Sequence, residues 1–123
     1  MTRTAVLLLA LATTLPGAER RAPNPLVRVV TVSHEKRSGN ELVDRTLDRL
    51  EAAASYQPDI ACLPELFTRG AAEPVGGATT ERLAAWAKRH ACYVLFGLKT
   101  RRDGALYNSA LLLDRQGRLA GTF

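Results

Sequence analysis

Apolar positions recur along the chain with two different periods, and the change between the periods predicts the order of the elements. Residues 26–33 (LVRVVTVS) are rich in β-branched side chains and predict a strand. A helix is predicted to begin at Ser38, because Glu41 follows at the spacing of a capping box. The helix has one apolar stripe, formed by Val43, Leu47, Leu50 and Ala54. Pro58 then ends the helical pattern.

The next segment repeats the order of strand and helix. Residues 60–63 predict a short buried strand, which Pro64 ends because proline has no N–H to donate. Residues 68–79 predict a loop rich in glycine and proline, and a second helix is predicted over residues 80–91. The apolar stripe of this helix is Leu83, Trp86, Ala87 and His90.

The last third of the chain predicts a β-meander. Residues 93–98 and 106–114 are apolar strands separated by a hairpin signal at Asp103-Gly104, and residues 118–123 begin a further strand. Strands that alternate with helices are typical of an α/β domain with parallel strands, and the hairpins add antiparallel neighbours. Apolar strands need cover on both faces, yet two helices supply one face only. The sequence therefore predicts a mixed sheet flanked by helices that is an incomplete folding unit.

Composition excludes several classes of protein. The chain has 123 residues, of which 46% are hydrophobic and 24% charged, as in one ordinary globular domain. Its net charge is +5, but the arginines are scattered and the few aromatic residues do not alternate with them. A base-stacking, basic surface is therefore absent from the pattern, and no nucleic-acid partner is expected.

The first residues differ from the rest and predict a signal peptide. Arg3 precedes the uncharged residues 5–15, and small residues follow, so residues 1–18 predict a secretory signal and residues 19–25 a linker. Eleven apolar residues reach about half of the ~30 Å hydrocarbon core, so no stable membrane span is expected. The expected location is therefore outside the cytoplasm, secreted or periplasmic. The alternative is a short N-terminal extension of a cytoplasmic protein.

The two cysteines do not predict a disulfide or a metal site. Cys62 and Cys92 both lie in apolar segments, where a free, buried thiol is expected. His90 and Cys92 form a lone pair of metal-ligating types without a second pair, so neither a metal ion nor another cofactor is expected.

Glu65 is the candidate catalytic residue. It follows a buried strand at the carboxyl end, where ligands bind in open α/β sheets, and partial burial would suit it to accept or donate a proton. Strand alternation predicts that Cys62 and Glu65 lie on opposite faces unless the backbone twists at Pro64. The alternative is a structural role, in which Glu65 caps the next loop or pairs with Arg69.

Four segments resemble the carbon-nitrogen hydrolase, or nitrilase, superfamily over residues 26–123. They are DIACLPELF at 59–67, AKRHACYVLFG at 87–97, YNSA at 107–110 and GRLAGTF at 117–123. The resemblance implies the N-terminal part of an αββα sandwich. It also implies a small-molecule amide or nitrile as substrate, and a longer parent protein that forms homo-oligomers.

The family's catalytic set is glutamate, lysine and cysteine, and the resemblance assigns only the glutamate to this chain. Glu65 matches the general base. The match to the lysine motif stops at Phe123, and neither Cys62 nor Cys92 matches the nucleophile. Asn108 and Ser109 resemble buried polar positions near the site, and we expect them to form core hydrogen bonds.

Three interpretations follow from this pattern. The first is the N-terminal part of an exported hydrolase of non-peptide carbon–nitrogen bonds, inactive without the lysine and cysteine. The second is a short, non-catalytic α/β interaction module that retains half of the sandwich. The third is a basic α/β binding domain with a chance resemblance, for which Glu65 would lie away from any crevice.

Overall fold

The computed structural model describes residues 26–33 and 40–123. Its elements are β1 (Val29–Thr31), α1 (Asn40–Ala54), β2 (Ile60–Cys62), β3 (Glu73–Pro74), α2 (Ala78–His90), β4 (Tyr93–Arg102), β5 (Ala105–Leu113) and β6 (Leu119–Thr122). The signal peptide and linker predicted for residues 1–25 and the helix start predicted at Ser38 lie outside the described residues. Neither described helix combines the length and apolar character that a membrane span requires.

The predicted order of elements is confirmed, but several boundaries differ. β4 continues four residues past Leu98, because its pairing with β5 runs as far as Arg102 opposite Ala105. The loop predicted at residues 68–79 contains the two-residue strand β3, which pairs with β4, and its last two residues already belong to α2. Backbone pairing does not depend on apolar side chains, so hydrophobic periodicity alone does not find these extensions.

The sheet is mixed, as predicted, and its topology explains where the helices lie. The strand order is β1-β2-β4-β5-β6, with β3 also paired to β4. The pairs β1–β2 and β2–β4 are parallel, whereas β4–β5 and β5–β6 are antiparallel. The two parallel connections step across the sheet in the same direction. Because such crossovers are right-handed, α1 and α2 must pack on the same face.

The face that the helices cover contains the hydrophobic core. Its strand residues are Ala61, Val94, Phe96, Leu111 and Leu113, which we call the covered face. Val43 and Leu50 of α1 and Leu83 and Trp86 of α2 are buried against it. The two predicted apolar stripes are therefore confirmed, with His90 half-buried at the end of the second.

The opposite side of the sheet is not covered by the helices. We call it the open face, and it comprises Ile60, Cys62, Tyr93, Leu95, Gly97, Lys99, Asn108, Ala110 and Leu112. These residues alternate along their strands with those of the covered face. Tyr93 is 37% exposed, and Lys99 and Asn108 are exposed as well. The mixed sheet with helices over one face matches the predicted fold class.

Candidate functional site

Glu65 lies in a segment that runs beside β4 after β2 has ended. The Leu63 N–H donates to the Leu95 carbonyl at 2.8 Å, and the Phe67 N–H donates to the Gly97 carbonyl at 3.2 Å. Between these two hydrogen bonds the chain bulges above Gly97. Glu65 is thus at the carboxyl end of the parallel strands, as predicted, where the chain has left the regular ladder.

The bulge depends on the absence of a side chain at position 97. A Cβ atom on Gly97 would lie 2.8 Å from both the Glu65 Cα and the Leu66 nitrogen, closer than van der Waals contact allows. Gly97 belongs to the open face, so Glu65 lies on that face, as does Cys62. Strict alternation would place Cys62 and Glu65 on opposite faces, but the chain departs from the ladder around Pro64, which is the exception to that prediction. Strict alternation ends with β2 at Cys62, three residues before Glu65.

Residues after Glu65 hold the bulge against the core. Leu66 and Arg69 have positive φ angles of 45° and 48°, and the Arg69 N–H donates to the Leu66 carbonyl at 2.9 Å. Phe67 is 2% exposed and contacts Phe96 edge to face, with ring centroids 6.3 Å apart. The tight turn and the buried ring of Phe67 therefore hold Glu65 in position from the residues that follow it.

Asn108 of β5 holds the carboxylate from the other side. Its Nδ2 donates to Oε1 of Glu65 at 2.5 Å. This bond replaces the alternative pairing of Glu65 with Arg69, and it shows that Asn108 is not part of the core. The adjacent Ser109 is buried and shares a 2.8 Å hydrogen bond with Thr100, as expected for a core polar pair. Glu65 itself is exposed, so the partial burial expected from sequence is not observed.

Two hollows border the bulge. One of about 230 Å³ is lined by Leu66, Lys99, Leu106, Tyr107 and Asn108. The other, of about 160 Å³, is lined by Leu66, Thr68, Arg69, Gly70 and Lys99. Lys99 was not found from sequence, because the apolar pattern of its strand ends at Leu98. The register of β4 places Lys99 directly opposite Asn108. A predicted hairpin with longer strands would therefore have placed Lys99 beside Asn108.

Of the two cysteines, Cys92 lies away from the site. Both are free thiols. Cys92 is fully buried one residue before β4, and Gly97 lies five residues further on, about 16 Å at the rise of a strand. Burial raises the pKa of the Cys92 thiol to about 11, so it is protonated at neutral pH. The described residues contain no group of three or more ligating side chains arranged for a metal ion.

The carboxylate at the strand end lies in a segment that matches a known family. The family model for carbon-nitrogen hydrolase matches residues 26–123, which include every described strand and helix. The chain belongs to the carbon-nitrogen hydrolase family. No protein of curated function matches this carbon-nitrogen hydrolase chain in sequence.

Solved amidase structures share the fold of this carbon-nitrogen hydrolase chain. An N-terminal amidase superposes with a TM-score of 0.69 at 22% identity, over 79% of this chain and 27% of its own. The NitN amidase from Neterenkonia sp. AN1 superposes with a TM-score of 0.66 at 19% identity, over 80% of this chain and 43% of its own. The chain therefore spans less than half the length of these amidases. At such identities the likeness establishes the fold alone.

Proposed function

We propose that this chain carries the general base of an amidase-type hydrolase, and that Glu65 is that base. The observation that carries the proposal is the 2.5 Å hydrogen bond from Asn108, which fixes the Glu65 carboxylate over the open face beside two hollows. A general base needs this kind of fixed position near a space that a substrate can enter. The substrate class is a small molecule with an amide or nitrile carbon–nitrogen bond.

The chemistry follows the family's glutamate, lysine and cysteine set. The carboxylate of Glu65 takes the proton of the cysteine thiol, and the thiolate attacks the carbonyl carbon of the amide. The lysine stabilises the negative charge that develops on the oxygen. Glu65 then delivers the proton to the leaving nitrogen, and water hydrolyses the thioester. Because Oε1 accepts the hydrogen bond from Asn108, we assign the proton transfer to Oε2.

We propose an amide rather than a nitrile as the substrate, by analogy with the amidases named above, one of which was solved with a Gln-Gly peptide. This chain contributes one of the three catalytic residues, and we expect it to be inactive without the lysine and the cysteine nucleophile. Export through residues 1–18 and self-association of a longer parent protein remain separate predictions.

The test measures ammonia release by a longer protein that contains this chain together with the lysine and the cysteine of the catalytic set. Wild type is compared with variants of this protein. We expect Glu65→Gln to lower kcat by about 10²–10⁴, because the amide side chain keeps the shape and cannot accept the proton. The matched control is Glu81→Gln, an exposed glutamate in the first turn of α2. It is expected to leave kcat unchanged.

Two results would contradict the proposal. Equal activity of Glu65→Gln and wild type would remove Glu65 from the chemistry. Ammonia release by the 123-residue chain alone, lost on Glu65→Gln, would show that the lysine and cysteine are not required.

A further inference from the structure

Two cations share a hollow that Leu66, the residue after Glu65, also lines. Lys99 and Arg69 both line the space of about 160 Å³ beside Leu66, and Lys99 also lines the larger hollow that Asn108 borders. Leu66, the neighbour of the proposed general base, lines both hollows.

The backbone fixes this arrangement. Lys99 and Asn108 are directly opposite each other in the β4–β5 pair, so their side chains leave the same face with Cβ atoms about 5 Å apart. Arg69 is held beside Leu66 by the hydrogen bond from its N–H to the Leu66 carbonyl. Both cations are consequently attached to backbone that hydrogen bonds hold in place.

Among the described residues Lys99 and Arg69 form no ion pair, although the Glu65 carboxylate lies in the bulge beside their hollow. Within residues 26–33 and 40–123, neither side chain has a carboxylate at ion-pair distance. In the same ranges Arg28, Arg49, Arg101 and Arg102 also lack one, whereas five other arginines have a carboxylate partner. These pairs are Arg45–Glu41, Arg82–Asp44, Arg89–Glu51, Arg115–Asp59 and Arg118–Asp114. Two cations that line one cavity and form no ion pair attract an anion to it.

We propose that Lys99 and Arg69 bind an anionic group of the substrate, so that the enzyme acts on amides that also carry a carboxylate. The inference rests on the proposed function, since it places the scissile amide at Glu65 and the carboxylate in the adjoining hollow. Arginine and lysine donate charge-assisted hydrogen bonds to carboxylate oxygens. The two cations also offset the repulsion between the Glu65 carboxylate and an anionic substrate, which would otherwise weaken binding.

The experiment measures binding rather than turnover, with the full 123-residue chain. Succinamate and butanamide have the same chain length, but only succinamate has a carboxylate. Their Kd values are measured by saturation-transfer NMR, which observes the ligand and tolerates self-association of the protein. Wild type is expected to bind succinamate more tightly than butanamide.

Variants assign the preference to the two cations. Lys99→Gln is expected to raise the Kd for succinamate about fivefold, since exposed charge pairs stabilise weakly, and to leave the Kd for butanamide unchanged. Lys99→Arg keeps the charge and is expected to retain the affinity. Arg69→Gln should weaken succinamate in the same way. The matched control is Lys88→Gln, an exposed lysine near the end of α2, which should change neither Kd.

Equal Kd values for the two ligands in wild type would overturn the inference, as would equal effects of Lys99→Gln and Lys88→Gln. The proposed function is tested separately by ammonia release with Glu65→Gln. Failure of that assay removes Glu65 as the base and leaves the anion site intact. Failure of the binding comparison removes the anion site and leaves the role of Glu65 intact.

Discussion

The two faces of the sheet use neighbouring residues of the same strands for different purposes. On the covered face of β4, Val94 and Phe96 are at most 1% exposed and belong to the core under the helices. On the open face, Tyr93 is 37% exposed, and Gly97 and Lys99 border the candidate site. A shift of one residue along the strand thus separates the positions that stabilise the fold from those that surround Glu65.

The largest expected effect comes from shortening side chains on the two faces of β4. Phe96→Ala removes a buried ring that contacts Phe67, and should lower the free energy of unfolding by about 3–5 kcal/mol. Leu95→Ala, on the open face and only partly buried, should cost about 1 kcal/mol. Urea unfolding followed by the fluorescence of Trp86, the single tryptophan, measures both. Equal losses in the free energy of unfolding would show that both faces of the sheet are buried in solution.

A smaller effect is expected where the Glu65 bulge meets the open face. Gly97→Ala puts a methyl group 2.8 Å from backbone atoms of Glu65 and Leu66, so the bulge must move, at a cost of roughly 1–3 kcal/mol. The shift should break the hydrogen bond from Asn108. The NMR signals of the Asn108 side-chain amide report on that bond.

Gly70→Ala is the matched control in the same segment, because its Cβ would meet Thr68 only at ordinary contact distances of 3.7 Å and more. The Asn108 amide signals should stay in place in this variant. If they also stay in place in Gly97→Ala, then the close approach at Gly97 does not hold Glu65.

Periodicity predicted the covered face well and the open face poorly. The stripes of α1 and α2 and the parallel strands follow from local spacing, because burial on one face imposes that spacing. The contact between Glu65 and Asn108 spans 43 residues and depends on how the β4–β5 hairpin is registered against the bulge. No local pattern contains that information. Lys99 was missed for a related reason, since its strand continues on backbone pairing after the apolar residues end.

The smallest expected effect concerns the two thiols. Cys92 belongs to the core, and Cys62 lies on the open face. Burial raises the pKa of Cys92 from its ordinary value of 9.0 to about 11, whereas Cys62 is half-buried on the open face. Native protein treated with iodoacetamide at pH 8 should therefore be modified at Cys62 and not at Cys92, as mass spectrometry of the peptides would show. In urea both thiols should react.

The raised pKa also makes stability depend on pH, with a definite sign. Below pH 9 the Cys92 thiol is protonated in both the folded and the unfolded chain, so its contribution is fully present. Between about pH 9 and 11 the unfolded chain loses this proton while the folded chain keeps it, so stability falls. The urea midpoint should therefore drop more steeply with pH in wild type than in Cys92→Ala, which lacks the group. Parallel curves would mean that Cys92 is solvated in the native state and that the core is open at the start of β4.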